Sequence, residues 1–190
     1  MRVRRRRSHV TVALATQVTC VKESIGAVFD KSGVYRYRLW RHWDPALPKL
    51  CLVMLNPSTA DASNNDPTIA RCVKLARDWG YGGVEVVNLF AYRATSPRDL
   101  WQSEDPVGPS NDRYIKHAAA HTDACVVAWG NLPPTRIARA KSVLRMLSSH
   151  KLLCPGVTKL SHPRHPLYLS SDALLEQFAG YESAAASASV

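Results

Sequence analysis

Four short polar stretches carry the side chains with chemical potential in this chain. They are Leu55-Asn56-Pro57-Ser58-Thr59-Ala60-Asp61, Asn88-Leu89-Phe90-Ala91-Tyr92-Arg93, Trp129-Gly130-Asn131 and His165-Pro166-Leu167-Tyr168. An amide such as Asn56, placed where a strand runs out, can hold a water or a substrate oxygen, although Asn-Pro is also a plain turn signal. Asn88 offers one acceptor and two donors, which suits the edge of a pyrimidine ring, or it caps a loop. Gly130 lets a backbone approach a ligand closely, and Trp129 can be a packing residue. His165, in a rigid Pro-flanked loop, can donate to a developing anion.

Other chemistries find little support. His162 and His165 have HxxH spacing, but Pro163 and Pro166 argue against a helix there, and no HExxH or carboxylate set is nearby. No metal and no cofactor are expected. The chain has no P-loop, no GxGxxG and no GxSxG. Its five cysteines show no CxxC pair, and Cys51 and Cys125 sit inside apolar runs as buried thiols. That usage fits a reducing compartment without disulfides.

Three of the four stretches follow apolar runs that read as buried parallel strands: residues 50–54, 84–87 and 124–128. Helices are expected over 67–79, 96–101, 111–121 and from Pro133 onward, with Asp66 as an N-cap before Pro67. Residues 152–160 read as a last strand interrupted by Pro155-Gly156, and 173–178 as a short helix. Strands alternating with helices predict a parallel sheet covered on both faces, with ligands at the carboxyl ends of its strands. Ahead of it, residues 25–29 and 34–40 form a hairpin through Asp30-Lys31-Ser32-Gly33. The alternation in Tyr35-Arg36-Tyr37-Arg38 predicts one aromatic face and one basic face.

The 190 residues suffice for one domain, expected over 21–180, between a basic arm at 1–20 and a frayed tail at 181–190. The formal charge is +10, and the arm's five arginines account for half of it, so the body is itself basic. Such a balance favours a polyanion, nucleic acid above all. No apolar stretch approaches the roughly 18 residues of a membrane span. The expectation is a cytoplasmic monomer with no membrane partner.

Together, Leu55 to Asp61, Asp66-Pro67-Thr68, Val87 to Thr95, Trp129-Gly130 and His165 to Leu169 resemble the bacterial and phage domain-of-unknown-function family 1643. The same motifs, in the same order, more distantly resemble the uracil-DNA glycosylase superfamily. That resemblance implies a three-layer α/β/α sandwich with a short parallel central sheet, here with the N-terminal β-hairpin added. It implies a DNA glycosylase that hydrolyses the N-glycosidic bond of a damaged or modified base flipped out of DNA. Asn56 would position the water and His165 would stabilise the departing base. Asn88, Ser58 and Trp129 would face the base, with Phe90 or Tyr92 stacked on it. Arg93, Arg164, Tyr168 and Thr59 would hold phosphates, and Asp61 or Asp66 could supply a carboxylate. The chain departs from the pattern at Met54 and Ser58, where glycines are usual, and at Leu167-Tyr168. The alternatives are a non-catalytic binder of nucleic acid or modified nucleotides on the same fold, and a nucleoside or nucleotide hydrolase.

Overall fold

The computed structural model describes residues 23–181. The expected arginine arm and, apart from Tyr181, the expected tail lie outside the described residues. One sheet of seven strands organises the chain: β1 (Ser24–Phe29), β2 (Arg36–His42), β3 (Lys49–Met54), β4 (Gly83–Asn88), β5 (Ala124–Val127), β6 (Leu152–Cys154) and β7 (Glu176–Gln177). Their order is β1-β2-β4-β3-β5-β6-β7. The middle four are parallel, and both edges are antiparallel. The hairpin is therefore two strands of the main sheet, because β2 covers the edge that β4 would otherwise leave open.

Four helices complete the elements: α1 (Pro67–Asp78), α2 (Pro97–Gln102), α3 (Asn111–Ala120) and α4 (Ile137–Met146). The apolar strands are buried on both faces, and alternate residues serve opposite cores. Cys51, Val53, Val87, Cys125 and Val127 pack with Ile115 of α3 and Ala140 and Val143 of α4. Leu50, Leu52, Val84, Val86 and Val126 pack with Ile69, Cys72 and Ala76 of α1. Helices thus cover both faces, and each fully buried aliphatic side chain contributes about 1.5–3 kcal/mol. Asp66 caps α1 through Ile69 N–H, and Ser96 caps α2 through Asp99 N–H. No helix among the described residues is long and apolar enough to cross a membrane.

Two expectations near the C-terminus need correction. Residues 173–178 are not helical: Glu176–Gln177 pairs with β6 as β7, and Phe178 N–H donates to Leu152 O at 2.9 Å. A three-residue β6 leaves an open edge, and pairing there overrides the local helix preference of Leu-Leu-Glu-Gln. The strand expected to continue to 160 ends at Cys154, where Gly156 at φ 91° turns the chain back toward His165.

The hairpin departs more informatively. The pairing register of β1 and β2 shifts between Val28 and Phe29, so that Val28 faces Arg38 but Phe29 faces Arg36. This bulge breaks the strict alternation and re-aims a side chain. Tyr37 stacks on Tyr114 of α3, while Arg36 turns toward the loop before α1 and donates to Ala60 O. Arg38 faces Glu85 on the other side of the sheet. The arginines therefore form no continuous basic face, and Arg36 and Arg41 are buried at 2% and 5% exposure.

Glu85, in the middle of β4, is 2% exposed and receives Nε and Nη2 of Arg38 at 2.7 and 2.6 Å. Burial pushes its carboxyl up, but the His42 ring nitrogen 3.5 Å away and the bonded Arg38 guanidinium outweigh burial and hold it below the usual range. Its folded pKa lies below the unfolded value of about 4.3. Its contribution to stability is complete above that pH and is lost as pH falls through the folded pKa. Glu85→Gln is expected to cost about 3 kcal/mol at pH 7, read from urea unfolding, because it strands a half-buried guanidinium. The variant should also lose less stability than wild type between pH 5 and 3.

Candidate functional site

The carboxyl ends of β3, β4 and β5 open into a cleft of about 880 Å³. That size lies within the range of small-molecule sites. Asn56, Ser58, Asn88, Trp129, Gly130, Arg164, His165 and Tyr168 all border it, so the four polar stretches meet at one place. Asp66 borders it as well.

Asn56 follows β3. Its Nδ2 donates to Pro57 O at 2.9 Å and to Ala94 O at 2.8 Å. Both amide hydrogens are thereby committed, which fixes the flip of the group and leaves Oδ1 as an acceptor. Asn88 ends β4 and is 2% exposed, yet no hydrogen bond engages its side-chain amide among the described residues. Its main chain is held from behind. Asn111 Nδ2 donates to Asn88 O and Leu89 O at 3.0 and 3.1 Å, and Arg139 Nε donates to Leu89 O at 2.8 Å.

His165 is brought in by a tie between loops: Gly130 N–H donates to Pro163 O at 2.8 Å. Gly130 is at φ 76°, and a Cβ there would stand 3.3 Å from the His165 Cβ. Both conditions call for glycine at this turn. Trp129 is 1% exposed, and its indole N–H donates to Tyr181 Oη, which also lies 3.0 Å from His162 Nδ1. His162 is thus part of this anchor rather than of a metal pair with His165. Burial pushes the His165 ring down in pKa, and Asp66 opposes that shift weakly. Leu167 N–H donates to Nδ1 at 3.4 Å. That hydrogen bond assigns the neutral ring a proton on Nε2, available to a ligand.

The main residue missed by sequence reasoning is Arg36. Its alternation pattern placed it on an open basic face, and a bulge has no clear signature in Tyr-Arg-Tyr-Arg. Arg36 lines the cleft, donates from Nη1 to Ala60 O at 2.9 Å, and keeps a buried Nε without a partner among the described residues. Burial pushes its guanidinium down to about 10, and the Asp66 charge partly restores it. Asp66 accepts Ile69 N–H at 2.8 Å and Ala60 N–H at 3.2 Å, one on each carboxylate oxygen. Lys159, at the rim, was also not singled out. Asn111 is the third omission, because an Asn at a helix start gives no hint that it reaches the end of a strand.

Several expected site residues lie elsewhere. Phe90 is 1% exposed and packs edge-on against Trp101 in the core, so it cannot stack on a ligand. Tyr92, Arg93 and Thr59 border a separate shallow depression, which Ser58 shares with the main cleft. Arg93 Nη1 donates to Gly33 O and the guanidinium lies over the Phe29 ring, which closes the hairpin turn against the sheet, while its Nε is buried without a partner among the described residues. Asp61 accepts the N–H groups of Ser63 and Asn64 in a tight loop and does not reach the cleft. Those bonds, led by the Asn64 side chain, hold its carboxyl well below the usual range. Asp66 is thus the carboxylate at the cleft.

A mixed sheet, parallel in its centre, with helices on both faces and polar loops gathered at the ends of its parallel strands defines the class: an α/β protein with a strand-end cleft. The family described as Protein of unknown function (DUF1643) matches residues 36–167, and the chain belongs to it. No curated protein and no solved structure matches the chain.

His165 should titrate below its ordinary value of about 6.5 and carry its proton on Nε2 when neutral. A two-dimensional ¹H–¹⁵N spectrum of the imidazoles across pH 5–8 checks both. Because the folded pKa is lowered, a stability penalty should grow as pH falls from the unfolded value through the folded one. His165→Asn should reduce that acid penalty.

Proposed function

We propose that the cleft binds a nucleobase extruded from DNA and that the protein hydrolyses its N-glycosidic bond, on a fold of the uracil-DNA glycosylase type. The observation that carries this reading is three complementary groups around one cleft. They are the committed Asn56 amide with Oδ1 as acceptor, the Asn88 amide, with no hydrogen bond among the described residues, and His165 with a proton on Nε2.

Each group has one job. Asn56 Oδ1 accepts from a water on the sugar face. The water oxygen bonds to C1′ as the C1′–N bond breaks, and the bonding pair leaves with the base through an oxocarbenium-like state, as in glycoside hydrolysis. The water proton passes to the base or to solvent. His165 Nε2–H donates to the base oxygen where negative charge develops, a role that a neutral ring fills well. Asn88 reads the hydrogen-bonding edge of the base. Arg164 and Lys159 at the rim supply positive charge for flanking phosphates, and Tyr168, 82% exposed, stands beside them. An amide positions water but does not take its proton, so turnover is expected to be slow or to need a good leaving group.

The state of Asp66 favours a second reading. As the N-cap of α1 it accepts one backbone N–H on each oxygen, a duty that ties it to the fold rather than to a water in the cleft. The same groups would then form a binding module for nucleic acid or a modified nucleotide.

The test is base release from single- and double-stranded oligonucleotides carrying uracil, hypoxanthine, hydroxymethyluracil, hydroxymethylcytosine or their glucosylated forms, with abasic sites revealed by alkali. One base should be released, and His165→Ala should slow release by about 100- to 1,000-fold. Absence of release from every oligonucleotide, with salt-sensitive DNA binding intact, would leave the binding module in its place.

A further inference from the structure

Arg36 does more than brace a loop. Its Nη1 ties β2 to the segment before α1 through Ala60 O. Its Nε is buried without a partner among the described residues. A guanidinium at 2% exposure is costly to keep so sparsely bonded. Asp66 is the nearby carboxylate, but it forms no ion pair within 4.0 Å with Arg36, and each of its oxygens accepts a main-chain N–H.

The surroundings add to the positive field. The N-terminal turn of α1, a helix of 12 residues, reaches the cleft through Thr68. That terminus is already capped by the Asp66 carboxylate, so the positive charge in the cleft comes from side chains. Lys159 and Arg164 line the same cleft, whereas Asp66 is its one acidic lining residue among the described residues. Arg36, at the start of β2, lines the cleft with Met54 and Asn88, the last residues of β3 and β4, and with Val86. A low-dielectric wall strengthens any charge-assisted bond made to it.

We propose that Arg36 is a ligand-binding residue and that the inner cleft takes an anionic group, so that the preferred ligand is a phosphorylated nucleotide or a nucleobase bearing an acidic substituent rather than a neutral nucleoside. This inference rests on the cleft being the ligand site described above, but not on bond cleavage. The shared chemistry is an anionic oxygen pair facing the guanidinium fork, which phosphate and carboxylate both offer.

The test is calorimetric titration of the full chain at fixed ionic strength with four probes: thymidine, thymidine 5′-monophosphate, inorganic phosphate and orotate, a carboxylated pyrimidine. At least one anionic probe should bind roughly 10- to 100-fold more tightly than thymidine, the range that 1.5–3 kcal/mol per charge-assisted bond implies. Binding of the monophosphate and phosphate would place the anion on the nucleotide backbone, and binding of orotate alone would place it on the base. Arg36→Met should erase the preference, and Arg36→Lys, which keeps the charge but loses the fork, should retain part of it. Thymidine binding as tightly as every anion in the wild type would overturn the proposal without any variant. So would an undiminished preference in a folded Arg36→Met protein. Anion binding without base release would sink the glycosylase reading alone, and release of a neutral base with no anion preference would sink this one alone.

Discussion

Parallel strands that end together leave main-chain donors and acceptors at one edge of the sheet, and those groups must find partners. Most of the site follows from how this chain provides them. Leu89 N–H and Phe90 N–H continue the pairing of β4 with β3 through Met54 O and Leu55 O. Beyond that point side chains take over: Asn111 and Arg139 hold the carbonyls at the end of β4, and Asn56 holds those of Pro57 and Ala94. A buried carbonyl left without a donor costs about 1–3 kcal/mol. The polar residues at the strand ends are thus required by the fold before they are available to a ligand. What remains after that requirement, Asn56 Oδ1, the Asn88 amide and Arg36 Nε, joins the His165 ring and the Lys159 and Arg164 charges in the cleft.

The same logic separates residues that hold the site from residues that face it. Trp129, His162 and Tyr181 form a hydrogen-bonded cluster behind the His165 loop. Gly130 lets that loop approach β5 closely. Arg93 and Asp61 close turns at the periphery. These groups fix geometry, and a site with fixed donors and acceptors spends little reorganisation when a charge develops.

Much of this was legible in the sequence. Apolar runs followed by Asn56, Asn88 and Trp129-Gly130 mark buried strands that end in polar loops, and parallel topology then forces the loops together. Asp66-Pro67 marks the start of α1 because capping chemistry is local. The illegible parts are those that tertiary pairing decides. A bulge of one residue sends Arg36 to the cleft side of the sheet and Tyr37 to the other side, which no alternation rule anticipates. The open edge of β6 draws residues 176–177 into a strand against their helical preference. Phe90 follows a strand-end Asn and looks available for stacking, yet its neighbour Trp101 closes over it from a separate helix. Chemistry-bearing residue types were visible one by one; their exposure was not.

The central claim is that four segments distant in the chain form a single ligand site. Backbone amide, side-chain amide, guanidinium Nε and imidazole resonances of the ¹⁵N-labelled protein, followed during titration with a short single-stranded oligonucleotide, test it most directly. The account predicts that the Asn56 and Asn88 amides, the Arg36 Nε–H and the His165 ring shift together along one binding curve, while the Asn111 amide behind the strand end moves little. Shifts confined to Tyr92, Arg93 and the outer depression, with the cleft groups unmoved at saturation, would contradict it.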